Sequence, residues 1–120
     1  MPQTEVVIFA AEDGSAPLLA WMDQLSEKVR DKCIVRIERL AELGHELRRP
    51  EADFLRDGIH ELRVQYGNVQ YRILYFFHEG DAVLSHGCTK EDVVPPVEID
   101  RAIQNKVRFI QNPARHTYEE

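Results

Sequence analysis

Five side chains in the second half of the sequence have types and spacing suited to handling an anion: Glu61, Arg63, Arg72, His86 and Lys90. The two arginines lie in "LRVQYGNVQYRILYFF" (residues 62–77), which reads as two short strands joined by Gly67-Asn68. Glycine at the first loop position favours a type II′ hairpin. That turn sets Tyr66 opposite Val69, Val64 opposite Tyr71, and Arg63 directly opposite Arg72. Like charges so placed destabilise an antiparallel pair by up to about 1 kcal/mol, so an anion is needed beside them. Two sources fit. Glu61, on the same strand face, can bridge to an arginine on a solvated surface. Alternatively, a bound anion bridges both arginines, because planar guanidinium forks grip phosphate oxygens two at a time. His86 and Lys90 fall at or just past the end of the following strand, on the side nearest Arg72, if the "EGD" turn (79–81) has three residues. A shift of one residue turns His86 to the other face.

The elements that must position these groups follow from apolar spacing. One hairpin face carries Leu62, Val64, Tyr66, Val69, Tyr71, Ile73, Tyr75 and Phe77 and is predicted to face a core, with the tyrosines as core aromatics. The other face carries Glu61, Arg63, Gln65, Gln70 and Arg72 before giving way to Leu74 and Phe76. Strands are expected near 59–66, 69–77 and 82–88, forming a meander, and "EVVIFA" (5–10) reads as a further buried strand. A helical hairpin is predicted over about 16–43. Ser15 is placed to cap its first helix, with Pro17 in the first turn, and Ser26 to cap its second; Val29, Cys33, Ile37 and Leu40 form a stripe, and Gly44 is the stop. "HELRRPEADFLRDG" (45–58) reads as a polar connector with Phe54 and Leu55 turned inward. A last helix over about 96–111 begins near Pro96, with Ile99, Ala102, Ile103, Val107 and Ile110 on one face, and "ARHTYEE" reads as a frayed tail whose Tyr118 could fold back over the sheet, though nothing in the sequence requires it. The reading is α+β, a single domain of 120 residues with a small antiparallel sheet of about four strands packed on a two-helix hairpin.

Composition narrows the function. A net charge of −6 repels nucleic acid on average, so any polyanion site must be a local cluster. No run approaches the about 18 apolar residues of a membrane span. The start of the chain lacks the basic and apolar regions of a secretory leader, which points to the cytoplasm and away from membranes. Cys33 and Cys88 stand apart from any metal-binding spacing and read as free thiols; the histidines show no ligand motif, and no metal or cofactor is expected.

Four ordered blocks carry a family resemblance: "LRDG-x-x-ELR" (55–63), "YRILYFF" (71–77), "HG-x-x-K" (86–90) and the proline-led "P-x-x-EI-x-x-A" (95–102). With the preceding helical hairpin, this run resembles the RelE/HigB-type toxins of bacterial and phage toxin–antitoxin systems, and among them the branch often called Gp49-like. The resemblance implies a sheet with two helices on one side and a concave basic face on the other. It implies a metal-independent endoribonuclease that cuts mRNA, often on the ribosome, and a separately encoded antitoxin, commonly a helix-turn-helix protein from a neighbouring gene. In such enzymes a 2′-hydroxyl attacks the adjacent phosphate, leaving a 2′,3′-cyclic phosphate and a 5′-hydroxyl.

On this resemblance Arg63 and Arg72 match the arginines that hold the phosphate. Lys90 matches the lysine after the third strand, which either stabilises the transition state or, with a depressed pKa, assists proton transfer. His86 is the better acid–base candidate if it faces the arginines, and Glu61 is a third candidate or an orienter of Arg63. The chain also departs from the pattern. Relatives often read "F-x-K-K" where Cys88-Thr89-Lys90-Glu91 stands, many carry a lysine where Asp53 stands, and most are basic. Each lost cation weakens phosphate binding. The departures point to attenuated catalysis, a different target, or a non-catalytic toxin acting by protein binding, as in the gyrase-inhibiting branch.

Overall fold

Alternation in the meander has to bury one strand face on the helical hairpin, and the computed structural model, which describes residues 4–90 and 93–119 apart from the Lys90 side chain, places it so. Strands β1 (Val6–Ile8), β2 (Ala52–Arg56), β3 (Ile59–Tyr66), β4 (Val69–His78) and β5 (Asp81–Lys90) form one sheet in the order β1-β5-β4-β3-β2. β1 runs parallel to β5 and every other pairing is antiparallel. Helices α1 (Pro17–Met22) and α2 (Glu27–Leu43) precede β2, and α3 (Pro96–Gln111) closes the chain.

The sheet has a core on each side. Leu62, Val64, Ile73, Tyr75 and Leu84 pack with Leu18, Met22, Val29, Cys33 and Leu40 of the hairpin. On the reverse, Ile59, Leu74, Phe76, Val83 and Cys88 pack with Ile99, Ala102 and Phe109 of α3. Both cysteines are buried and neither forms a disulfide among the described residues. Ser26 caps α2 by accepting from the Val29 amide at 3.3 Å, and Gly44 ends it at φ 54°. Ser15 does not cap α1; its hydroxyl donates to Asp13, and Ala16 takes the cap position.

Several local expectations are corrected. The connector contains the edge strand β2, so the sheet gains a fifth strand. Phe54 there is 55% exposed rather than inward, because on a single-sided edge its face lies beyond the reach of α2. Tyr66, at the hairpin tip, is also exposed. On α3 the buried stripe is Ile99, Ala102, Asn105 and Phe109, while Val107 and Ile110 face outward. The tail is pinned rather than frayed: Ala10 N–H donates to the His116 carbonyl at 2.7 Å, Tyr118 N–H donates to Ile8 at 2.8 Å, and the His116 ring stacks on Phe9.

The second turn is Glu79-Gly80, two residues with positive φ at both, so His78 pairs with Asp81. A three-residue turn is thereby excluded. A bulge then leaves Ser85 without a partner across from β4, between the Tyr75–Leu84 and Leu74–His86 pairs. The two one-residue offsets cancel, and His86 arrives on the face of Leu74 and Arg72.

Gly87 illustrates how tightly this strand is fitted. A Cβ there would collide with the indole of Trp21, which also donates to the Thr89 hydroxyl at 3.2 Å. Gly87→Ala is expected to cost about 1–3 kcal/mol through overpacking. Urea unfolding followed by fluorescence of this single tryptophan measures the loss, and the folded-state emission should shift as the ring is displaced.

Candidate functional site

The register expected from the Gly67 turn is present: Arg63 faces Arg72, Val64 faces Tyr71 and Tyr66 faces Val69. Gly67 has φ +63°, as a glycine-first hairpin loop requires. Both arginines lie on the α3 face of the sheet, on the part that α3 leaves open. With Glu61 they line a cavity of about 500 Å³, bounded by Arg49 and Asp53 at one edge and by Val93 and Val94 at the other.

The anion between the arginines is Glu61. Its Oε1 accepts from Arg72 Nη1 at 2.6 Å and its Oε2 from Arg63 Nε at 3.0 Å. One carboxylate therefore bridges both cations rather than one. Asp53 accepts from Arg63 Nη2 at 3.2 Å and from Arg49 Nε at 2.9 Å, and the hydrogen bond from Arg49 holds its carboxyl below the usual carboxylate range. The side chains of Glu61, Arg72 and Arg63 are 2%, 11% and 34% exposed, so the cluster runs from a buried carboxylate to a solvent-facing guanidinium. Among the described residues that line the cleft, three arginines face two carboxylates, a sum of one positive charge in an acidic protein.

His86 sits on the arginine face but beneath α3, and it is 1% exposed. A directed chain of hydrogen bonds fixes it. Asn105 Nδ2 donates to the Ser85 hydroxyl at 2.9 Å, that hydroxyl lies 2.9 Å from His86 Nδ1, and His86 Nε2 lies 3.0 Å from Glu98. With the proton on Nε2, every member is satisfied and the imidazole is neutral. Ser85 is the bulged residue, so the bulge serves to aim this chain at α3. Burial holds His86 below the ordinary histidine value of 6.5, with Glu98 pulling the other way and Arg101 reinforcing the shift. Lys90 pairs with Gln70 through its backbone; its side chain, like Glu91, lies outside the described residues.

Sequence spacing missed Arg49 as a wall of the cleft and missed Asp53 as a partner of Arg63. The available signal was the "RRPEAD" run beside the edge strand (48–53). It also missed the Ser85–His86–Glu98 clamp, because the bulge has no mark in the sequence.

A pH dependence follows. Burial also lowers His60, assisted by His45 and Lys106 and opposed by Asp53. Both histidines protonate near 6.5 in the unfolded chain and lower in the folded one. The unfolded state thus binds more protons below that value, and stability falls as pH drops through it toward the folded values. The unfolding free energy from urea titrations should be flat above about pH 7 and decline below about pH 6.5, with a slope of at most about 1.4 kcal/mol per pH unit per histidine. A His60→Gln/His86→Gln double variant should flatten that decline.

Among the described residues no helix is long and apolar enough to cross a membrane. No curated protein matches the sequence. The family model described as "Phage derived protein Gp49-like (DUF891)" matches residues 20–107, well over half of the chain, from α1 through most of α3 and across the whole cleft. The α+β architecture is compatible with a RelE-like fold. The chain belongs to the Gp49-like family, part of the toxin–antitoxin-related RelE-like group.

Proposed function

We propose that the protein is the toxin of a toxin–antitoxin pair and a metal-independent endoribonuclease that cuts mRNA, in association with the ribosome. The observation that carries this reading is the opposed Arg63–Arg72 pair lining an open cleft. In the reaction the ribose 2′-oxygen forms a bond to phosphorus while the bond from phosphorus to the 5′-oxygen breaks. One proton leaves the 2′-hydroxyl and one joins the departing 5′-oxygen. Arg63 and Arg72 hold the non-bridging oxygens and stabilise the extra negative charge of the transition state. Glu61 keeps both guanidinium groups fixed, so little reorganisation is needed when the phosphate arrives. Arg63 retains Nη1 without a partner among the described residues for the incoming phosphate.

Proton transfer is assigned to Lys90, and Glu61, buried with both oxygens bonded to the arginines, is assigned to orienting them. His86, with both ring nitrogens engaged and no exposure, is assigned instead to holding α3 beside the cleft. A cognate antitoxin, a helix-turn-helix protein from a neighbouring gene, restrains the toxin in the cytoplasm. On induced expression the parent should arrest growth, and Arg63→Ala should relieve the arrest while keeping its circular dichroism. Equal arrest by both proteins would overturn the assignment.

A second reading has its own support. Glu61 and Asp53 already occupy edges of the arginines, which suits a toxin that binds a protein, such as gyrase, without cutting RNA. DNA damage in arrested cells with intact transcripts would favour it.

A further inference from the structure

The sheet face opposite the arginines carries a second cavity, of about 530 Å³, between the end of α2 and the edge strand β2. Its wall is a connected series of rings. His45 stacks on Phe77 at 3.6 Å between centroids, and Phe77 meets His60 edge-on at 5.3 Å. His60 stacks on Tyr75 at 5.1 Å and takes the exposed Phe54 edge-on at 5.2 Å. A single exposed aromatic needs no explanation. One that continues a run of π faces into a nucleotide-sized cavity does.

The polar groups at the mouth are equally specific. Arg49 and Asp53 line this cavity and also the arginine cleft, so the two meet at the β2 edge. Asp53 is committed to Arg49 and Arg63. Arg48 lines the cavity too, and its guanidinium has no ion-pair partner among the described residues. The loop carrying it is held in place: Glu51 accepts from Arg39 at 3.0 and 3.1 Å and pairs with Arg36 at 2.7 Å, while its carbonyl accepts from Arg63 N–H at 2.8 Å. An exposed guanidinium outside the ion pairs thus stands on a braced loop at the border of an aromatic-lined cavity. Flat rings accept the face of a base, and a guanidinium at the rim accepts the phosphate attached to it.

We infer that this cavity binds an unpaired nucleobase, stacked among Phe54, His60 and His45, with its phosphate on Arg48. The inference rests on the ribonuclease reading only for RNA as the source of that nucleotide. A strand passing over the β2 edge would place one phosphate against Arg63 and a neighbouring base in the aromatic cavity, which gives the toxin a means of choosing where it cuts. His60, kept neutral by burial, serves as a stacking surface rather than as a second cation.

Calorimetric titration of the full-length protein tests this with two sets of probes: uridine, adenosine and their 5′-monophosphates, and a short single-stranded oligonucleotide made uncleavable by 2′-deoxy substitution. Phe54→Ala and Arg48→Ala alter exposed residues and should fold normally. Phe54→Ala is expected to weaken binding about tenfold. Arg48→Ala should weaken the monophosphates several-fold and leave the nucleosides unchanged. Binding of monophosphates identifies a pocket for a free nucleotide, and binding of the oligonucleotide alone identifies one that reads a base within a chain; both support the inference. Failure of every probe to bind, or equal affinities for parent and Phe54→Ala, would overturn it, as would a Phe54→Ala effect confined to antitoxin binding. Cleavage assayed in parallel keeps the two readings apart, since base binding without cleavage defeats the ribonuclease reading alone.

Discussion

Arg72→Ala is expected to lower RNA cleavage by about 100-fold or more, the usual cost of removing one fixed donor from a transition-state charge. Arg72 should matter more than Arg63. It is the more buried of the two, and the shorter of the two contacts to Glu61 fixes it, at 2.6 against 3.0 Å. Its charge is therefore less screened by water and better positioned. Arg63, one-third exposed, should lose about tenfold on the same change. Arg72→Lys provides the control for folding. It keeps a positive charge beside Glu61, so the protein should remain folded, yet a point charge cannot reproduce a bidentate fork and cleavage should still fall. Rates measured on a defined transcript, with and without ribosomes, decide the matter. Full activity in Arg72→Lys would show that the fork is unnecessary.

Glu61→Gln should produce the largest loss of stability of any single change in the cleft, about 3 kcal/mol. The glutamine is nearly isosteric but neutral, so Arg63 and Arg72 would confront each other across one rung of the sheet without the carboxylate that bridges them. Because Arg63 is partly in water, most of the cost comes from the buried Arg72 side. The corollary distinguishes this electrostatic account from a packing defect. Inorganic phosphate or sulfate should raise the unfolding midpoint of Glu61→Gln more than that of the parent, because the anion takes the place of the carboxylate. Urea titrations of both proteins with and without phosphate measure this. Equal responses would mean that the cleft does not receive a phosphate.

These two residues also mark how far the sequence could be read. The Arg63–Arg72 rung was legible because period-2 alternation fixes which residues share a face and Gly67-Asn68 fixes the register. Glu61 followed from the same alternation, though its bridging of both arginines needed coordinates. Beyond the hairpin, local signals failed where tertiary contacts decide. β2 lies in a run of charges because only one face of an edge strand meets a core, so its alternation is faint. The burial of α3 turns toward Asn105 and Phe109 because the Ser85–His86 clamp and Phe76 await them on the sheet, leaving Val107 and Ile110 outside. The tail carries no local sign of its anchor, because His116 on Phe9 and Ala10 joins residues more than a hundred positions apart. His86 reached its expected face through a shorter turn and a bulge that offset each other, and that face proved to be roofed by α3.

The most direct measurement of the central claim is the chemistry of RNA ends released by the purified protein, with ribosomes and in the presence of a metal chelator. The account predicts new fragments with 5′-hydroxyl and 2′,3′-cyclic phosphate termini, formed by the parent and nearly absent with Arg72→Lys. Intact RNA from a parent protein that still arrests growth, or the same fragments in equal yield from both proteins, would contradict it.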